Sequence, residues 1–178
     1  MTTDQLLWVL ARVAGLASYG ALAIALVTGI ALRTAVFDWL GSNRAVRSLH
    51  EYTTVLWIPL AALHLGSLLL DTTARVGLLD LVVPFHSSYG TLAIGVGALS
   101  VDLLVIVTVT AYLKRRMSKE LWLWIHRLAY LAFALAFLHA VLSGTDFSDP
   151  VMSAITWGTA AALLTLTVAR LLGGRLPA

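Results

Sequence analysis

Cysteine is absent from this chain, and charge is scarce: 12% of its 178 residues are Asp, Glu, Lys or Arg. Without a thiol there is no disulfide, no iron–sulfur cluster and no thiolate ligand, so any redox centre or metal must be held through His, Met or carboxylate. The shortage of charge excludes a water-soluble fold. With 60% hydrophobic residues and a mean hydropathy of +0.89, the chain carries more apolar surface than a soluble core of this size could bury. The composition is that of an integral membrane protein. A net charge of +3 does not argue for nucleic acid, because the basic residues gather at the ends of apolar segments, where membrane topology accounts for them.

Five windows reach the ~20 apolar residues that a spanning helix needs: about 8–32, 46–70, 90–113, 121–143 and 151–172. They are labelled spans A to E. The expected fold is therefore an all-α membrane protein, a single transmembrane domain built as a bundle of about five helices. Span A carries no basic residue before Arg12 and is longer than the apolar core of a signal peptide, so it reads as a retained helix. Lys and Arg set the orientation, because basic short loops stay cytoplasmic. Arg33, Arg44, Arg47, Lys114, Arg115, Arg116, Lys119, Arg127, Arg170 and Arg175 fall on one side. On the other lie Asp4, Asp71, Asp80, Asp146 and Asp149, with only Arg12 and Arg75. The N-terminus is thus expected outside and the C-terminus in the cytoplasm. Trp8, Trp39, Trp122 and Trp124 fall near the expected boundaries, as an aromatic belt would place them. The segment ARVGLLDLVVPFHSSYG at 74–90 is too short to span and is interrupted by Pro84. It reads either as an amphipathic turn or short helix on the outer surface, or as a plain connecting loop.

Spans B and D each carry two histidines: His50 and His64 in HEYTTVLWIPLAALH, His126 and His139 in HRLAYLAFALAFLH. Under the expected topology the two spans run parallel, so His50 faces His126 at one depth and His64 faces His139 at another. The separations of 14 and 13 residues correspond to about 20 Å along each axis. At ~100° per residue, 14 steps return near the starting face, whereas 13 end roughly 140° away. Span D must then be tilted, locally distorted, or turned so that its two histidines face different sides. A lone intramembrane histidine is explained equally well by a hydrogen bond to a neighbouring helix carbonyl. Two pairs at matched depths point instead to ligation, since ionisable groups in hydrocarbon are costly and functional. With no cysteine and no carboxylate cluster nearby, the pairs suit haem better than zinc or a di-iron site. The absence of C-x-x-C-H excludes covalent attachment, which leaves two b-type haems with histidine at both axial positions.

Such ligation fills the iron's coordination sphere and favours electron transfer over oxygen activation. Each ligand needs an acceptor for its other ring N–H, and the carbonyls one turn back, of Val46, Leu60, Trp122 and Leu135, are the expected ones. Arg47, Arg127 and Arg115 are placed to meet the propionates of an inner haem and Arg12 those of an outer one. Ordinary topology accounts equally well for the three inner arginines.

Span A, the HEYTTVLWIPLAALH segment, the DLVVPF loop and the run AYLKRRMSKELWLWIHRLAYLAFALAFLHAVLSGTD resemble the ferric reductase-like transmembrane domain. That family includes NADPH oxidases, ferric reductases and the haem-binding membrane subunit of the periplasmic methionine sulfoxide reductase system. The resemblance covers nearly the whole chain. It implies bis-histidine ligation by His50 and His126 at the inner haem and by His64 and His139 at the outer one. It also implies an oxidoreductase-type electron-transfer component in a cell membrane, that of a bacterium. The chain departs from the oxidases and full-length ferric reductases in ending a few residues after span E, before any flavin and nicotinamide domain. Electrons are accordingly expected from a cytoplasmic flavoprotein reductase or from quinol, and leave to an extracytoplasmic acceptor. Oxygen-reducing members keep a further histidine one turn beyond the outer ligand of the first helix, where this sequence has Leu68, which speaks against superoxide production. Two alternatives stay open: a single-haem membrane subunit of a periplasmic reductase system, and a haem-free structural or transport subunit. Whether copies associate into a homo-oligomer is open as well.

Four other features invite a role. Asp102, midway along span C, either takes up protons or pairs with another helix or subunit. His86 either lines an acceptor or quinone site or is a solvated loop residue. Pro59 should bend span B and free the carbonyl near Val55. Gly95 and Gly97 permit close approach, of a macrocycle or of a neighbouring helix.

Overall fold

The computed structural model describes residues 2–34, 42–144 and 149–173, with no side-chain description from Arg170 onward. Trp39, Asp146 and Arg175, used above to read the topology, lie outside the described residues. The described residues form α-helices: α1 Thr3–Ala31, α2 Asn43–Leu70, α3 Leu78–Val82, α4 Thr91–Tyr112, α5 Lys119–His126, α6 Leu128–Ser143 and α7 Pro150–Gly173. Taking α5 and α6 together, five helical segments are long and apolar enough to cross a membrane. The all-α expectation therefore holds.

Capping residues explain where the helices begin. Thr2 and Gln5 bond reciprocally, Thr2 N–H to Gln5 Oε1 at 2.9 Å and Gln5 N–H to Thr2 Oγ1 at 3.2 Å. This Thr-x-x-Gln box starts α1 ahead of the apolar window, because it satisfies amides that would otherwise be orphaned. Ser42 and Ser118 accept the amides of Ala45 and Leu121 at the starts of α2 and α5. Asp149 accepts those of Val151 and Met152, with Pro150 at the first helical position of α7, where its missing N–H costs nothing.

The chain divides into two compact units, one of Met1–Leu16 and Ala61–Gly144, the other of Ala17–Leu60 and Thr145–Ala178. The division in α2 falls directly after Pro59, which sits inside the helix and withdraws one amide from its ladder. In the first unit, α4 packs along α6, and Ser100 Oγ donates to the Ala132 carbonyl at 2.8 Å. Both residues are buried, so two backbones approach closely where neither presents a bulky side chain. In the second unit Ser18 Oγ donates to the Trp57 carbonyl at 3.5 Å.

Span D differs from a single regular helix. It divides at Arg127: α5 ends on His126, α6 begins at Leu128, and the Tyr130 amide bonds the Arg127 carbonyl three residues back. The tight turn falls between His126 and His139, where regular helix periodicity would have sent them to different faces. Segment 74–90 contains a short helix, α3, which packs against α4.

Candidate functional site

In the first unit the structure brings His64 and His139 together, with ring centres 6.3 Å apart and ring planes at 75°. Each ring is held from behind by a carbonyl of a different helix. His64 Nδ1 donates to Ala11 O at 2.7 Å, and His139 Nδ1 donates to Ala93 O at 2.8 Å. A carbonyl only accepts, so Nδ1 carries the hydrogen in both rings and the lone pair lies on Nε2. No described residue gives either Nε2 a hydrogen bond. Both imidazoles are thus fixed in the tautomer and orientation that a metal-ligating histidine needs.

The same helices make room for the rings. A Cβ on Gly15, one turn beyond Ala11, would lie 3.0 Å from His64 Nδ1, and one on Gly97, one turn beyond Ala93, would lie 2.6 Å from His139 Nδ1. The ring therefore rests on a glycine while it bonds the carbonyl four residues earlier. In the second unit His50 repeats the arrangement: Nδ1 donates to Ala25 O at 2.8 Å, and a Cβ on Gly29 would lie 3.2 Å from its Cε1. Thr28 Oγ1 stands 3.4 Å from the same nitrogen. The pattern is Ala-x-x-x-Gly at 11–15, 25–29 and 93–97, each cradling one histidine.

This corrects the acceptors expected from the sequence. The carbonyls of Leu60, Val46 and Leu135, one turn back in each histidine's own helix, do not take these ring protons. Both sets of carbonyls serve a helical ladder, but those of Ala11, Ala25 and Ala93 lie beside a glycine one turn on, where no side chain blocks a second donor from a facing helix. Sequence reasoning passed over Gly15 and Gly29. The signal was present, as a small residue four positions before a glycine, repeated on three segments.

The remaining expected site residues are placed less tightly. His126 lies in the first unit and stacks on Trp122, ring centres 5.1 Å apart and planes at 24°. The Arg12 guanidinium lies 4.3 Å from the Trp8 ring centre, and that of Arg127 5.2 Å from Trp124. Arg47 and Arg115 are exposed. Asp102 makes no hydrogen bond among the described residues. Among those residues no three His, Cys, Asp or Glu side chains gather as a metal cluster.

In the loop between α2 and α4, His86 Nδ1 donates to Asp80 Oδ1 at 2.7 Å, and Asp80 Oδ2 accepts the Gly77 amide at 2.8 Å. The Gly77 amide first, and the His86 ring second, hold the Asp80 carboxyl below the usual carboxylate range. The Thr73 hydroxyl and amide do the same for Asp71.

Residues 6–146 match the model of a family described as a domain of unknown function, DUF8596. No curated protein and no solved structure matches the chain.

Proposed function

We propose, for a chain that belongs to the DUF8596 family of unknown function, that it is a transmembrane b-type cytochrome. In this reading it binds two haems and moves electrons from a cytoplasmic flavoprotein reductase or quinol to an extracytoplasmic acceptor. The observation that carries the reading is the His64–His139 pair. Two imidazoles that would hold one metal ion through their Nε2 atoms, with bonds of ~2 Å, must bring their ring centres to within about 6 Å. The rings here stand 6.3 Å apart with both Nε2 lone pairs unclaimed by any described residue.

The donor set decides which metal group fits. A structural zinc asks for four protein ligands and a catalytic one for three, while iron in a porphyrin asks the protein for two. Pairs of histidines without a third donor match the second requirement. His64 and His139 would hold the outer haem, with Arg12 as a cation available to its propionates; the inner haem of this reading rests on the sequence alone, which pairs His50 with His126 and offers Arg47 and Arg127. Held there, haem would supply one-electron redox chemistry. The chain's own residues supply the rest. Ala11, Ala25 and Ala93 fix tautomers through their carbonyls, and Gly15, Gly29 and Gly97 let the rings approach the backbone. The orientation, with the N-terminus outside, the resemblance to the ferric reductase-like family and a place in the bacterial plasma membrane belong to the same reading, supported by the basic residues clustered at one set of helix ends.

The test is the visible spectrum of the purified full chain, expressed with ample haem supply. The expected result is reducible low-spin b-type absorption with two haems per chain by pyridine haemochrome assay. A colourless protein would refute the reading.

A further inference from the structure

The loop between α2 and α4 is built to hold one imidazole outward. Asp80 is buried and turned inward on α3, pinned by the Gly77 amide, and its other oxygen takes the His86 Nδ1 proton. His86 Nδ1 thus points its proton at Asp80, while Nε2 bonds no described residue and the side chain is 49% exposed. The chain is forced into this course. Phe85, directly before His86, has φ +64°, a left-handed conformation that a bulky residue adopts only under constraint. The turn drives the Phe85 ring against Gly95 of α4, where a Cβ would lie closer to Phe85 Cδ1 than carbon atoms can pack.

Polarity in this loop is inverted relative to a water-exposed turn. Asp80 faces in, whereas Leu78, Leu79, Val82, Phe85 and Tyr89 are exposed, as is Leu70 at the end of α2. In a chain with five helices long and apolar enough to cross a membrane, an exposed apolar rim of this kind suits the bilayer interface rather than water. Depth links the loop to the histidine pair. Phe85 rests on Gly95 and His139 on Gly97, two residues and so about 3 Å apart along α4. The helix itself, ~10 Å across, separates them.

From these observations we propose that His86, oriented by Asp80 and flanked by Phe85 and Tyr89, anchors the head group of a membrane-borne quinone or hydroquinone. The ligand class follows from the lining: a polar atom able to exchange a hydrogen bond with an imidazole, a flat ring to lie against aromatic side chains, and an apolar tail to occupy the rim. A phosphate headgroup fits less well, since the carboxylate of Asp80 stands directly behind the ring. The choice of a redox-active ligand rests on the electron-transfer reading above; the placement of the His86 ring and its apolar neighbours does not.

The experiment uses the full chain in nanodiscs of neutral phospholipid and titrates decylubiquinone, reading quenching of tryptophan fluorescence. Saturable binding is expected in the wild type. Loss of a hydrogen bond to an ionisable group should weaken it about tenfold or more in His86→Phe, and Asp80→Asn should weaken it less. Haem content is measured on the same samples, so that failure of the electron-transfer reading appears as missing haem and failure of this one as missing quinone binding. Unaltered affinity in both variants, or no saturable binding to the wild type, would overturn the assignment. Should His86→Phe not fold, Asp80→Asn with retained α-helical circular dichroism carries the test alone, and unchanged affinity there overturns the assignment too.

Discussion

His139 bonds the Ala93 carbonyl at 2.8 Å while its ring sits where a side chain on Gly97 would have to be. One turn of α4 thus supplies both the acceptor that sets the ring's tautomer and the space that admits it. A larger residue at position 97 would move the ring off the carbonyl and change its placement beside His64.

Gly97→Ala should accordingly displace His139 and weaken metal-group affinity at that pair by about 10–100-fold, the usual cost of disturbing a residue that orients a ligand. Gly20→Ala is the control, because a Cβ there meets nothing within 4 Å. It should leave cofactor content unchanged and stabilise α1 by ~0.5–1 kcal/mol through helix propensity. Haem content per chain separates the two, and equal loss in both would show that the cradle plays no part.

Single replacement of His64 or His139 by Ala should remove one haem of the two and leave the other. The pyridine haemochrome ratio reads this directly. Loss of both haems from either variant would argue against two independent sites.

Much of this was legible before the structure. The spans follow from runs of apolar residues, whose length is dictated by bilayer thickness and not by tertiary detail. The histidines stood out because an imidazole in hydrocarbon needs a reason. The acceptors of their ring protons were not legible in the same way, since a hydrogen bond to the backbone leaves no mark on the identity of the acceptor residue. Only the glycine that admits the ring leaves one, and Gly15, Gly29 and Gly97 become meaningful once the facing helix is known. The break at Arg127 is one of the three outcomes that the 13-residue spacing of His126 and His139 left open, a local distortion rather than a tilt or a turning of the rings to different sides. The Asp80–His86 bond was invisible in sequence because it depends on Phe85 adopting positive φ, which nothing in the identity of a phenylalanine announces.

Ser100→Ala should weaken the α4–α6 pairing. Hydrogen bonds between membrane helices contribute about 0.6 kcal/mol on average and up to ~1.7, and the buried position places this one toward the upper part of that range. Unfolding in mixed micelles measures the loss. A stability equal to wild type would mean the hydroxyl satisfies its own helix just as well.

The loop that carries Asp80 and Asp71 should be sensitive to acid. Both carboxyls have lowered pKa values in the folded chain, so their contribution is fully present above the ordinary unfolded carboxylate value of about 4 and is lost as pH falls through the lower folded value. Amide exchange at Gly77 and Thr73, corrected for the intrinsic pH dependence, should lose protection in that acidic window and be flat from pH 5 to 7. Asp80→Asn should bring the loss at Gly77 to neutral pH. Protection at pH 3 equal to that at pH 7 would contradict the role given to these carboxylates.

The most direct test of the central claim is electron paramagnetic resonance of the oxidised, purified chain beside its His64→Ala variant. The wild type should show low-spin ferric haem with two imidazole ligands, and the variant should lose the signal of one haem, or convert it to high spin, while the other persists. Absence of any haem signal in the wild type, or a spectrum untouched by the replacement, would contradict the assignment of His64 and His139 as a ligand pair.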